Sequence, residues 1–138
     1  MYTLDEFLAS GWSLVVYADD DLVYRSKDSD LIPLLDFLDR DRESSLRLTI
    51  FDRYIGRAAA LLMVLIQPQR VCAGVLSEGG AIVLRENKVP FEAVRQVKYL
   101  MDIASEGMCR WEKAAQHRTP EEWWQAVKVM KEQDEKTR

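Results

Sequence analysis

Apolar and polar positions alternate through Trp12–Ala18 and Leu22–Arg25, interrupted by three aspartates, Asp19 to Asp21. The pattern predicts two strands of an antiparallel hairpin turning on acidic residues. Short acidic side chains bond to the local backbone and so suit a turn, a reading we favour over a metal site. Leu31, Leu34, Leu35 and Leu38 then recur at helical spacing, with Ser29 or Asp30 as N-cap. Pro33 falls in the first turn, where a missing N–H costs nothing.

Leu46 to Phe51 is rich in β-formers and predicts a strand running directly into a helix from about Tyr54 to Ile66. Ala58 to Ile66 is an unbroken apolar run, so that helix is expected to be covered on more than one face. Arg70–Ser77 is almost continuously apolar, as a strand buried on both faces would be. Glu78 to Asn87 predicts a short helix, Val89–Leu100 a further strand or extended edge, and Cys109–Ala115 a short segment before a terminal helix. That last helix opens on a capping box, with Thr119 as N-cap, Pro120 as first helical residue and Glu122 three positions on.

Strands alternating with helices predict an α/β fold: a three-layer α/β/α sandwich around a mixed, mostly parallel sheet, with an N-terminal antiparallel hairpin. The 138 residues suffice for one core and not for two, so a single domain over 1–138 is expected, with about 131–138 as a frayed charged tail.

Charge narrows the partners. With 19 basic and 23 acidic residues, a net charge of -4 and no basic block, a nucleic-acid polymer or an anionic bilayer is not expected. The opening MYTLDEFLASGW is acidic and lacks the apolar run of an export signal. The longest apolar run is well short of the roughly 20 residues that cross a bilayer. Cys72 and Cys109 are too few for a disulfide framework. A soluble cytoplasmic protein with no membrane partner is expected, and a homo-oligomer is left open.

In an open sheet of this kind, ligands sit beyond the carboxyl ends of the strands, where helices begin. Three strand exits are expected to meet there: Ser26, Asp28 and Ser29; Asp52, Arg53, Gly56 and Arg57; Ser77, Glu78, Gly79 and Gly80. The second exit, FDRYIGR, sets two arginines, an aspartate and a glycine at the mouth of a very apolar helix. Arg57 and the helix end could hold an anion, Gly56 could let it approach, and Asp52 could accept from the ligand or orient Arg57. Alternatively, Asp52 caps the helix, Gly56 packs against a strand and the arginines are solvated. The Gly-Lys-Ser/Thr ending of a phosphate loop is absent.

Cys109 and Glu112 would share a helix face and are the catalytic candidates, although a nearby carboxylate raises a thiol's pKa and opposes nucleophilicity. His117 has no fixed catalytic neighbour and reads as a surface residue. Trp123, Val127 and Met130 read as core, while Trp124 points elsewhere and marks a partner surface. No pair of ligands has zinc spacing, so neither a metal nor a cofactor is expected.

WSLVVYADDDLVYRS, LIPLL, DRYIGRAAALL, VLSEGGAIVL and CRWE together resemble the domain of unknown function 1893 family, small prokaryotic proteins with a cytidine-deaminase-like fold. The family pattern reads Asp-Lys-x-x-Gly-Lys-Ala-Ala-Ala-Leu-Leu; Arg53 and Arg57 take the lysine places. The family's Cys-Pro-x-Glu is Cys109-Arg110-Trp111-Glu112 here, and its upstream Asn-Arg pair is missing near Tyr99 to Ile103. Deaminases of this fold hold zinc through His-x-Glu and Pro-Cys-x-x-Cys at two helix starts. The matching starts here, SKDSDLIPLL and DRYIGRAAALL, contain neither histidine nor cysteine, which excludes zinc-dependent deamination.

The resemblance implies a deaminase-like pocket without its metal. The leading expectation is a domain that binds a small polar or anionic ligand, nucleotide or nucleobase-like, through Ser26, Asp28, Asp52, Gly56, Arg57, Ser77 and Glu78. The alternatives are an enzyme of unknown reaction using Cys109, Glu112 or Asp52, and a protein-interaction module with a vestigial pocket.

Overall fold

The computed structural model describes residues 1–28, 31–40, 47–100 and 110–136. Its strands are β1 (Leu14–Ala18), β2 (Asp21–Ser26), β3 (Leu48–Ile55), β4 (Arg70–Ser77) and β5 (Phe91–Val97). Its helices are α1 (Leu4–Ala9), α2 (Ile32–Leu38), α3 (Arg57–Ile66), α4 (Glu78–Glu86), α5 (Arg110–Ala115) and α6 (Pro120–Lys136). The sheet order is β2-β1-β3-β4-β5. β1 is antiparallel to β2 and β3, whereas β3, β4 and β5 are parallel. The chain is therefore a mixed α/β fold, parallel through its centre and compatible with the cytidine-deaminase-like arrangement.

Both parallel crossovers step in the same direction across the sheet, so right-handed connections bring α3 and α4 to one face. That face carries the main core. Ala58 to Met63 and Ile66 of α3 are buried between the sheet and helices α2, α4, α5 and α6. The apolar run without a polar side thus becomes the central helix of the domain. The capping box of α6 forms as its residues dictate: the Glu122 N–H donates to Thr119 Oγ1 at 3.2 Å and the Thr119 N–H to Glu122 Oε1 at 3.4 Å. In the β1–β2 hairpin the acidic turn places Asp19 in the left-handed region, φ 52°. Ser29, Asp30 and Leu46 lie outside the described residues.

Two elements differ from the sequence reading. The strand leading into the central helix does not stop at Phe51: pairing with β4 carries β3 on to Ile55, and the helix starts at Arg57 rather than near Tyr54. Asp52 and Arg53 are consequently strand residues pointing to opposite faces of the sheet. The second difference is α1, absent from the pattern-based reading. Its local signal is Thr3 followed by Glu6, and the Glu6 N–H does donate to Thr3 Oγ1. Six residues are too few to hold a helix by themselves.

Arg53 supplies the missing stability. Its guanidinium reaches across from β3 and donates to the carbonyls of Phe7, Leu8, Ser10 and Trp12. A positive charge on the open carbonyls of a helix end is favourable electrostatically as well as through hydrogen bonding. Gly74 on β4 completes the contact. A Cβ there would lie 2.7 Å from the Arg53 carbonyl oxygen and 3.1 Å from a Leu8 methyl, so only glycine lets α1 lie this close. Phe7, Val15, Phe51 and Cys72 form the small core beneath it, and among the described residues α1 is the helix of the third layer. Among the described residues, no helix is long and apolar enough to cross a membrane.

Replacing Arg53 with Ala should detach α1. Loss of several charge-assisted hydrogen bonds and exposure of Phe7 predict a loss of about 2–4 kcal/mol in urea unfolding, with amide exchange rising first in residues 4–10. Unchanged protection of α1 in Arg53→Ala would show that apolar packing alone holds it.

Candidate functional site

The sequence leaves α3 without a side-chain cap, because its N-cap is Gly56. The structure supplies one from elsewhere. Glu112, on α5, is buried against the start of α3, and the Arg57 N–H donates to its Oε2 at 2.9 Å. The Ala58 N–H adds a second bond to the same carboxylate. Gly56 makes room for this arrangement. A Cβ at that position would fall 1.1 Å from Glu112 Oε1, so the carboxylate occupies the space a side chain would need.

The Arg57 side chain returns the interaction. Its Nε donates to the Ala115 carbonyl at 3.1 Å and its Nη2 to the Arg118 carbonyl at 2.9 Å, closing the open end of α5. Each helix therefore supplies the group that the other's terminus lacks: a carboxylate for free N–H groups, a guanidinium for free carbonyls. Trp123 of α6 locks the pair from above, its indole Nε1 donating to the Ala58 carbonyl at 3.0 Å.

Beside this joint opens a cleft of about 800 Å³. Its floor is Asp52 and Gly56 from β3 and the turn after it; Glu112 and Trp111 form one wall, and Arg95 of β5 contributes to another. Lys27 and Asp28, after β2, complete the rim, with Leu14, Leu34, Ala58 and Val75 as apolar lining.

Asp52 is the unusual group here. It sits in the middle of the sheet, opposite Leu14 on β1 and Ala73 on β4. Desolvation pushes its carboxyl up to about 8, against the smaller opposing pull of the Tyr54 and Arg53 backbone N–H groups. The acid is thus largely neutral at pH 7 and can both donate and accept a hydrogen bond. Burial also raises Glu112, countered by the Arg57 and Ala58 N–H groups and the Arg57 charge.

Of the sequence-derived candidates, Asp28, Asp52, Gly56 and Glu112 come together around this cleft. Arg57 is not part of the lining, its guanidinium being engaged by the Ala115 and Arg118 carbonyls. Ser26 is turned inward, its Oγ accepting from the Asp28 N–H, and is not part of the lining. Ser77 caps α4, accepting from the Gly80 N–H at 3.0 Å, and Glu78 is exposed; neither lines the cleft. Cys109 lies outside the described residues. The described cysteine, Cys72, is on the opposite face, where burial and contact with Glu92 push its thiol up to about 12, far from reactive.

His117 is exposed in the turn between α5 and α6, at φ 63°. Trp123 and Val127 are fully buried, whereas Trp124 is half-buried beneath the Lys128 ammonium. Among the described residues, no three His, Cys, Asp or Glu converge as a metal site. Lys27, Arg95 and Trp111 escaped the sequence reading. Lys27 lies at the β2 exit between Ser26 and Asp28, and Trp111 lies beside Glu112, so both adjoin residues the sequence singled out, whereas Arg95, inside β5, has no such neighbour.

The family model described as a domain of unknown function (DUF1893) matches residues 3–131. The structure is similar to the crystal structure of a DUF1893 family protein from Thermotoga maritima, with a TM-score of 0.83 and 24% sequence identity. The likeness covers 92% of this chain and 86% of that one, and at this identity it speaks for the fold. No curated protein matches the chain.

Two outcomes are expected from this geometry. Gly56→Ala should cost about 3 kcal/mol by expelling the Glu112 carboxylate from its cap, yet almost nothing in a Glu112→Ala background, where the space is free. Additive losses in urea titrations of the two single variants and the double variant would contradict the capping geometry. The second outcome concerns pH. The folded state keeps the Asp52 proton up to about 8, whereas the unfolded chain releases it near 3.8, so stability falls as pH rises through that window. Asp52→Asn should abolish this part of the slope. It should match the wild type near pH 4 and exceed it by about 2–4 kcal/mol near pH 9, as read from parallel unfolding curves.

Proposed function

The chain belongs to the DUF1893 family, and on that premise we propose that the cleft above Asp52 binds a small polar ligand with nucleobase-like edge chemistry. The observation that carries this reading is a carboxyl group in the central strand, opening onto a cleft and held near neutrality by desolvation. Placing an acid there costs folding stability, and such costs concentrate at functional sites. A cleft of about 800 Å³ with apolar walls and few polar groups has the size and character of a small-molecule site.

The nature of the ligand follows from what the cleft can still offer. The positive end of α3 is neutralised by Glu112 and the Arg57 guanidinium is engaged, so the helix start does not serve as an anion cradle. A neutral Asp52 instead presents a donor and an acceptor side by side, which fits the amide-like edge of a planar heterocycle. Lys27 and Arg95 stand on the cleft wall for an anionic substituent such as a phosphate. The same near-neutral carboxyl favours a second reading, in which Asp52 acts as general acid or base in a reaction on that ligand, since catalytic groups have pKa values near working pH.

A thermal-shift screen of nucleobases, nucleosides and nucleotides tests the proposal. At least one uncharged heterocycle or its phosphorylated form should stabilise the protein. Asp52→Ala should then weaken binding about 10-fold, the scale of one lost hydrogen bond, while Arg57→Ala leaves it nearly unchanged. If no compound in the screen raises the melting temperature, or if Asp52→Ala binds as well as the wild type, the cleft is not a ligand site of this kind.

A further inference from the structure

We infer that β5 is a self-association edge, on which a second copy of this chain adds its own β5 antiparallel to form one continuous sheet across a two-fold axis. β5 is the outer strand beyond β4, and among the described residues none pairs with its free side. Edge strands of monomers are normally guarded by bulges, proline, inward charges or short length. The opposite edge shows such guarding: the β1–β2 ladder is broken between Val16 and Tyr17, and Arg40 covers Tyr24 of β2. β5 has seven residues and no proline, pairs with β4 over its full length, and carries its charges as Glu92, tied to Arg70, and Arg95 on the cleft wall. Its central residue, Val94, is 65% exposed.

The register follows from the backbone. The Val71 N–H donates to the Pro90 carbonyl, which fixes the even-numbered residues of β5 as those bonded to β4. Phe91, Ala93, Arg95 and Val97 therefore direct their N–H and C=O groups outward. An antiparallel partner centred on Val94 pairs all seven residues: Phe91 with Val97, Ala93 with Arg95, Glu92 with Gln96, and Val94 with itself. No like charges sit directly opposite in that register, the two Arg95 side chains being diagonal neighbours, and apolar side chains oppose each other at both ends. Centring on Arg95 would set Arg95 against itself, and centring on Ala93 would leave Gln96 and Val97 outside β5–β5 pairing. Self-complementarity thus selects one alignment and one occupant.

Sedimentation velocity on the full chain should give twice the chain mass at about 0.1 mM, shifting to monomer in Val94→Lys with an unchanged circular dichroism spectrum. Val94→Cys gives an independent readout. The non-hydrogen-bonded pair at the axis brings the two Cα atoms to about 4.5 Å, within disulfide range, so mild oxidation should yield a covalent dimer beyond anything seen in the wild type. A wild type that stays monomeric at that concentration overturns the inference. So does a dimer that survives Val94→Lys and fails to crosslink through Val94→Cys.

Discussion

The exchange of end groups between α3 and α5 is the constraint on which the domain depends. A helix as apolar as Ala58 to Ile66 has to lie in the centre of the core, and a buried helix start cannot leave its N–H groups to water. The chain meets that requirement with a carboxylate from 55 positions downstream. The position of α5 is fixed by the same pair of residues, because Arg57 closes its carbonyl end. Gly56 is the condition for both, since any side chain there would displace the carboxylate.

That joint also decides the chemistry beside it. With an internal carboxylate on the positive end of α3, the first N–H groups of that helix are already taken, and the polar side chains around the cleft include Asp28, Asp52, Lys27 and Arg95. The raised pKa of Asp52 has its own origin in burial. The sheet and the helices packed on it strip water from the carboxyl, and the Tyr54 and Arg53 backbone N–H groups only partly offset this.

Arg53 does on the other face what Arg57 does on this one. Both guanidiniums close the carbonyl ends of short helices that lack the length to be stable alone. A planar group with several N–H donors spans two to four carbonyls at once, which an ammonium cannot do with the same geometry. The two arginines of the FDRYIGR motif thus act as clasps on helix ends that face opposite sides of the sheet.

Hydrophobic period and local capping, by themselves, determined most of the elements. The hairpin on Asp19 to Asp21, the central helix, the apolar β4, Ser77 ahead of α4 and the Thr119–Glu122 box are all short-range consequences of side-chain size and hydrogen bonding, and so are legible in the sequence. The family was legible too, from DRYIGRAAALL and its neighbouring segments. Of the site, the sequence indicated Asp28, Asp52, Gly56 and Glu112, and the tertiary structure brought them together. It could not indicate that β3 continues to Ile55, because that depends on pairing with β4. Nor could it assign the partners of Glu112 and Arg57, or the α1 carbonyls that take up Arg53. Those contacts join residues 41 to 61 positions apart, and a distance of that order carries no local pattern. Only the folded packing, which removes water from each of these groups and leaves a single partner within reach, decides which charge answers which helix end.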